Sequence, residues 1–184
     1  MDGPTDFERL EAKLAPETMG AALIRAGAIL AAYELVKSTI LDGPLGFFSL
    51  NWDENGKPIP DASYKTEVLA RGTNKWTGSC AWLVHMRALT EEQVAALEDI
   101  RDHRGEVAHE LALLLIDPDV EVRLDMLVQL RDIIHSLDRF FGSITVDINA
   151  DRHDRNDVDY DAIRSGSGLV IDYLSNLAGL DDTT

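Results

Sequence analysis

TEEQVAALEDIRDHRGEVAHELALLLI, residues 90–116, reads as one helix. Thr90 and Gln93 form a capping box, in which the threonine hydroxyl takes the third amide and the glutamine reaches back to the first. Advancing 100° per residue sets Leu97, Ile100, Val107, Ala108, Leu111, Leu114 and Leu115 on one broad apolar face. Arg104 falls in the middle of that face, between Leu97 and Ile100 on one side and Val107, Ala108 and Leu111 on the other. A guanidinium buried there alone costs several kcal/mol, so Arg104 is expected to be paired, snorkelling or at an interface. His109 follows about 140° further around the helix, on the polar side with Asp102 and Glu106. A straight, isolated helix points Arg104 and His109 apart. They serve one site only at a helix edge that faces a cleft, and a two-fold dimer supplies such a cleft lined by both copies.

Helical signals recur on both sides of this segment. Residues 4–14 read as a short helix and residues 16–42 as a long one, with Pro16 in its first turn and Gly43-Pro44 as its stop. Leu23, Ile24, Leu30, Leu35, Ile40 and Leu41 supply most of its apolar surface. Residues 43–62 are a non-helical insertion. Its Asn55-Gly56 pair signals a small hairpin, weakened by Pro58 and Pro60 in the second strand, and Trp52 and the phenylalanines are expected to fold it onto the domain. Helix resumes near residue 62, pauses at Gly72 and returns across residues 74–89. Asp117-Pro118 reads as the cap and first position of the next helix. Val120, Leu124, Leu127, Ile134, Leu137, Phe141 and Ile144 then keep a helical spacing towards Ile148. Residues 147–161 read as an acidic linker, and residues 160–177 as a last amphipathic helix. The fold class expected is all-α: an antiparallel bundle of about five to six helices, with a short hairpin insertion near 43–62, in one domain spanning 1–184.

Composition narrows the function. Apolar residues make up 45% of the chain, enough for a core without staples, and the only cysteine, Cys80, permits no internal disulfide and reads as a small buried residue. The acidic N-terminus lacks the basic region of a signal peptide. The most apolar stretch, 21–41, carries Arg25, Glu34 and Lys37 and reads as a buried helix rather than a membrane span. A cytoplasmic location is expected, without membrane association. The net charge of −16 repels nucleic acid at long range, so any nucleic-acid chemistry must be local. The same charge suits a basic partner and admits a protein that mimics nucleic acid.

Several motifs carry little. Asp147, Asn149 and Asp151 match the start of a calcium loop, but Arg152 and Val158 stand where glycine and glutamate belong. His153-Asp154 lacks a ligand set, and Gly166 and Gly168 lack the third glycine and preceding strand of a dinucleotide site. His85 and His135 read as structural, and Trp76 and Trp82 as core, since stacking on bases calls for nearby cations and only Lys75 is close in sequence. No metal and no cofactor is expected. An arginine with a histidine five to seven residues on arises about once by chance in such a chain, so only context gives the pair weight.

That context is Ile100 to Leu111, IRDHRGEVAHEL, with the lead-in LARGTNKWTGSCAWLVHMRALTEEQ before it and DPDVEV after it. Over residues 64–141 the chain resembles the HEPN superfamily of small helical bundles. The resemblance implies a homodimer. It also implies a metal-independent endoribonuclease, a toxin or antiphage-defence component in many members, with Arg104 and His109 as the catalytic pair. Other members keep the fold as non-catalytic interaction modules, and an antitoxin or other protein partner belongs to either reading. Gly105 departs from the polar residue, most often asparagine, that usually follows the arginine. In the implied chemistry His109 takes the proton of the RNA 2′-hydroxyl, Arg104 meets the charge growing on the phosphate, and the second subunit supplies an acid for the leaving 5′-oxygen. The products are a 2′,3′-cyclic phosphate and a 5′-hydroxyl. Arg101 would add a phosphate contact, and Asp102 and Glu106 would orient His109.

Overall fold

The computed structural model describes residues 4–149 and 158–180. Its frame is α2 (Pro16–Phe47), against which α3 (Lys75–His85), α4 (Glu91–His109), α6 (Leu124–Ile148) and α7 (Gly166–Leu177) all pack. The short helices α1 (Asp6–Lys13) and α5 (Leu111–Ile116) meet each other and the same frame. The fold is an all-α bundle, as the sequence patterning requires. Of the described helices, α2 is the one long and apolar enough to cross a membrane by length and composition. Here it is the helix on which the others close: Ile29, Ala32, Val36 and Ile40 are fully buried in one core with Leu97, Ile100, Leu127, Leu130, Ile134 and Ile171.

Thr5, Asn74 and Thr90 each cap a helix through a reciprocal capping box, so α1, α3 and α4 start where local chemistry dictates. The hairpin also forms: β1 (Ser49–Trp52) pairs antiparallel with β2 (Pro58–Pro60). Asp53 Oδ1 accepts from the Asn55 and Lys57 amides across its turn, and Gly56 takes the left-handed conformation at φ 74°. Phe48 and Phe47 anchor it against Trp82, with ring centroids 5.7 and 5.2 Å away. Trp52 does not: it stays 59% exposed, because its strand projects beyond the core.

Tertiary contacts moved several boundaries. The helix expected to stop at Gly43-Pro44 runs on to Phe47. Pro44 forfeits one amide bond but is itself buried, and Gly43 lies under the Phe141 ring of α6, where a Cβ would collide with it. The single helix expected over 90–116 breaks at Glu110, and its continuation α5 turns Leu111 and Leu114 onto α2. The cap expected at Asp117-Pro118 is not used: Asp117 Oδ1 instead accepts from the Asp119 amide in a local turn. Residues 120–123 lie outside helix and α6 starts at Leu124. They are held by Lys13 Nζ donating to Val120 O and by the Arg123 amide donating to His103. The last helix starts six residues later than expected, at Gly166, after an isolated turn at Tyr160–Ala162. Ser165 caps it, and the buried Asp138 carboxylate accepts the Ser165 amide at 2.9 Å. Asp151, Arg152, His153 and Asp154 lie outside the described residues.

Candidate functional site

Helix α4 presents two kinds of face. Its buried residues are Leu97, Ile100, His103 and Val107, so His103 is buried at one edge of that face while Arg104 stays half-buried at the other. An imidazole tolerates that position only when both ring nitrogens are satisfied. The Arg123 amide donates to Nε2 at 3.2 Å, so the proton sits on Nδ1, which donates to Glu106 Oε2 at 3.3 Å. Nothing in the helical period singles out His103. Its partner segment arrives from a loop 20 residues on.

Arg104 takes the edge of that face. Its side chain is 35% exposed, and Nη2 donates to Glu34 Oε1 of α2 at 3.0 Å. Lys37, one turn on, reaches the other oxygen of the same carboxylate at 3.2 Å. Arg104 Nε is buried and has no hydrogen-bond partner. The expectation that Arg104 is paired and partly snorkelling thus holds.

These groups line an open groove of about 750 Å³ between α2, the start of α3 and α4. Lys37, Arg101 and Arg104 line it with Glu34 and Asp102, three cations to two carboxylates in a chain of net charge −16. Tyr33 and Trp76 add aromatic surface. Burial pushes the Tyr33 phenol above its ordinary value, with Arg101 and Arg104 pulling against it. Arg101 is exposed, salt-bridged to Glu98 at 2.6 Å and to Asp102 at 3.3 Å, and the Glu98 carboxylate holds its pKa above the usual value. Trp76 Nε1 donates to Glu98 at 3.4 Å. Trp76 is half-buried, packing against the core while also walling the groove, whereas Trp82 is buried. The cations near Trp76 come from α2 and α4, which is why its own sequence neighbours do not reveal them.

His109 is the last residue of α4, is exposed, and is not among the groove-lining residues. The carboxylates expected to orient it bond elsewhere: Asp102 to Arg101 and Glu106 to His103. Within one chain, the fold thus gathers Arg101, Asp102 and Arg104 and leaves His109 and Glu106 outside. Gly105 forms part of the groove wall, with nothing within 4 Å of where a Cβ would stand. Among the described residues, no three His, Cys, Asp or Glu side chains are grouped to hold a metal ion. Comparison with protein-family models, with curated proteins and with solved structures finds no match to this chain.

The arrangement has a definite chemical capacity. Two guanidiniums and an ammonium along an open trough can take a phosphodiester backbone, and Tyr33 and Trp76 can take a base against a flat face. Glu34 opposes this, since a phosphate must compete with it for Arg104 and Lys37.

Proposed function

We propose that the chain is a metal-independent endoribonuclease whose groove between α2 and α4 binds RNA and whose site is completed by a second copy. The observation that carries this reading is the concentration of Lys37, Arg101 and Arg104 with Tyr33 and Trp76 in one groove of a strongly acidic protein. A long-range field of that sign disfavours RNA, so the locally gathered cations and aromatic walls support this groove as the RNA site of the proposal. The likeness of residues 64–141 to the HEPN superfamily supports the same residues. Arg104 then stabilises the charge developing on the phosphate, and His109 accepts the 2′-hydroxyl proton. His109 stands about 7.5 Å along α4 from Arg104 and about 140° around it. On this reading the imidazole that serves one groove belongs to the other copy.

The test is cleavage of single-stranded RNA in EDTA by the wild type, Arg104→Ala and His109→Ala. Wild type alone should cut, leaving 2′,3′-cyclic phosphate ends, and DNA should resist because it lacks the nucleophile. Mixing the two inactive variants separates shared from single-chain sites. Random pairing of copies rebuilds one intact composite site in half of the dimers, so about a quarter of wild-type activity returns. Cleavage that persists in both single variants refutes the assignment.

A second reading, a non-catalytic interaction module, rests on a different observation. Leu169, Val170, Tyr173 and Leu177 are 46–64% exposed and share the side of α7 opposite its buried Gly168, Ile171 and Ser175. An apolar helix face of this kind is more than scattered surface apolarity. Absence of cleavage with every RNA tested would favour it.

A further inference from the structure

A separate crevice of about 480 Å³ runs between α3 and α4 and shares the Trp76 wall with the groove. The two helices run antiparallel: the end of α3 leads through residues 86–90 into the start of α4, and Trp76 near the start of α3 donates Nε1–H to Glu98 further along α4. The floor is made of Cys80, Ala81, Val84 and Val94, and Cys80 belongs to the buried core. A carboxylate stands towards each end. Glu91, the first residue of α4, lies where α3 finishes at His85, and Glu98 lies beside Trp76. The two glutamates are seven residues apart, so they share one side of α4, within about 20° of each other and about 10.5 Å apart along its axis. Glu91 is exposed. Glu98 is committed only in part: Oε2 meets Arg101 at 2.6 Å, and Oε1 accepts the long 3.4 Å bond from Trp76. A carboxylate oxygen accepts more than one donor, so Oε1 has capacity for a further cation.

We propose that this crevice binds a linear aliphatic diamine, with one ammonium on each glutamate and the methylene chain along the apolar floor. A floor with a single carboxylate suits any amphiphilic amine, whereas two carboxylates spaced along it select for a second charge and for chain length. The net charge of −16 draws every dication towards the chain at long range, so the spacing of Glu91 and Glu98 supplies the discrimination. Neither Arg104 nor His109 lines the crevice, and the assignment stands whether or not RNA is cut.

Calorimetric titration of the full chain with terminal diaminooctane, diaminobutane and octylamine tests the assignment. Extended diaminooctane holds its ammoniums about as far apart as the two glutamates. Diaminobutane carries the same charge on too short a chain, and octylamine keeps the chain with one charge. Diaminooctane should bind saturably and at least about tenfold more tightly than either other probe. Glu91→Gln changes an exposed residue outside the Thr90–Gln93 box and should leave the fold intact. Glu91→Gln and Glu98→Gln should each weaken diaminooctane about tenfold, as expected for a lost charge-assisted bond. No saturable binding of diaminooctane by the wild type, or unchanged affinity in either variant, overturns the site. Equal binding of diaminobutane would reduce it to long-range attraction, and equal binding of octylamine would remove the second charge; either result overturns the diamine.

Discussion

The Arg104 guanidinium of α4 donates to the Glu34 carboxylate of α2 at 3.0 Å, across a sequence separation of 70 residues and at the edge of an open groove. Both side chains are partly exposed, at 35% and 47%, so the pair adds only about 0.2–1 kcal/mol to stability. Its larger effect falls on whatever anion enters. Glu34→Gln should leave the unfolding midpoint nearly unchanged and raise the affinity for a short RNA about fivefold, since a unit charge 4 Å away is worth about 1 kcal/mol in a water-like medium. Fluorescence anisotropy at fixed salt measures this. Weaker RNA binding would instead make Glu34 the residue that positions Arg104.

His103 and His109 should separate stability from function. Replacing the buried His103 with alanine removes its packing and the partner of the part-buried Arg123 amide, a loss of about 1–3 kcal/mol. His109 is exposed and terminal, and His109→Ala should move stability by no more than about 0.5 kcal/mol. Urea denaturation followed by circular dichroism compares the two. A large loss in His109→Ala would show that its ring is structural.

Gly105 lies inside α4 with open space at its missing Cβ. Gly105→Ala should therefore stabilise the fold by about 0.5–1 kcal/mol by removing backbone freedom from the unfolded chain. A rise in the thermal midpoint is the expected result. A fall would mean that α4 bends at this residue in a way the free Cβ position does not reveal.

Gly43 is the opposite case. A Cβ there meets the Phe141 ring, so Gly43→Ala should cost about 1–3 kcal/mol through overpacking between α2 and α6, despite alanine's better helix propensity. Pairing it with Phe141→Leu should recover part of the loss, and additive losses would deny the contact.

Cys80, Tyr33 and Tyr64 set the alkaline limit of the fold. Burial pushes the Cys80 thiol from its ordinary 9.0 up to about 12, and burial likewise raises both phenols above 10.0. These groups are held neutral in the folded chain. Their contribution is complete below the unfolded values, near 9 for the thiol and 10 for the phenols, and is lost as pH climbs through the folded ones. Stability should hold at pH 8 and fall steadily above about pH 9. At pH 8, alkylation of Cys80 should be slow in the native state and fast in urea. Rapid alkylation of the native protein would mean that the thiol is reached without unfolding.

Helix caps and turns were readable from adjacent residues. The Thr90–Gln93 box starts α4, the Asn55-Gly56 pair turns the hairpin, and Pro16 opens α2. The boundaries that escaped are those where a distant group outweighs a local signal. Gly43-Pro44 stays helical where Gly43 packs under the Phe141 ring, and past Asp117-Pro118 the chain runs outside helix to Arg123, whose amide is tied to His103.

Arg104 stood out in the sequence because a guanidinium among apolar neighbours calls for a partner, but no local pattern named Glu34 or Lys37 as companions, or gave Trp76 its cations. The helical bundle, its caps and one conspicuous arginine were legible in the residues alone, because hydrogen bonding and apolar period act within a few residues. Packing of the helices buries His103, leaves His109 outside the groove and brings Lys37 of α2, Trp76 of α3 and Arg101 and Arg104 of α4 to one trough. Which side chains face each other there depends on how helices cross, and that crossing is set by packing of the whole core.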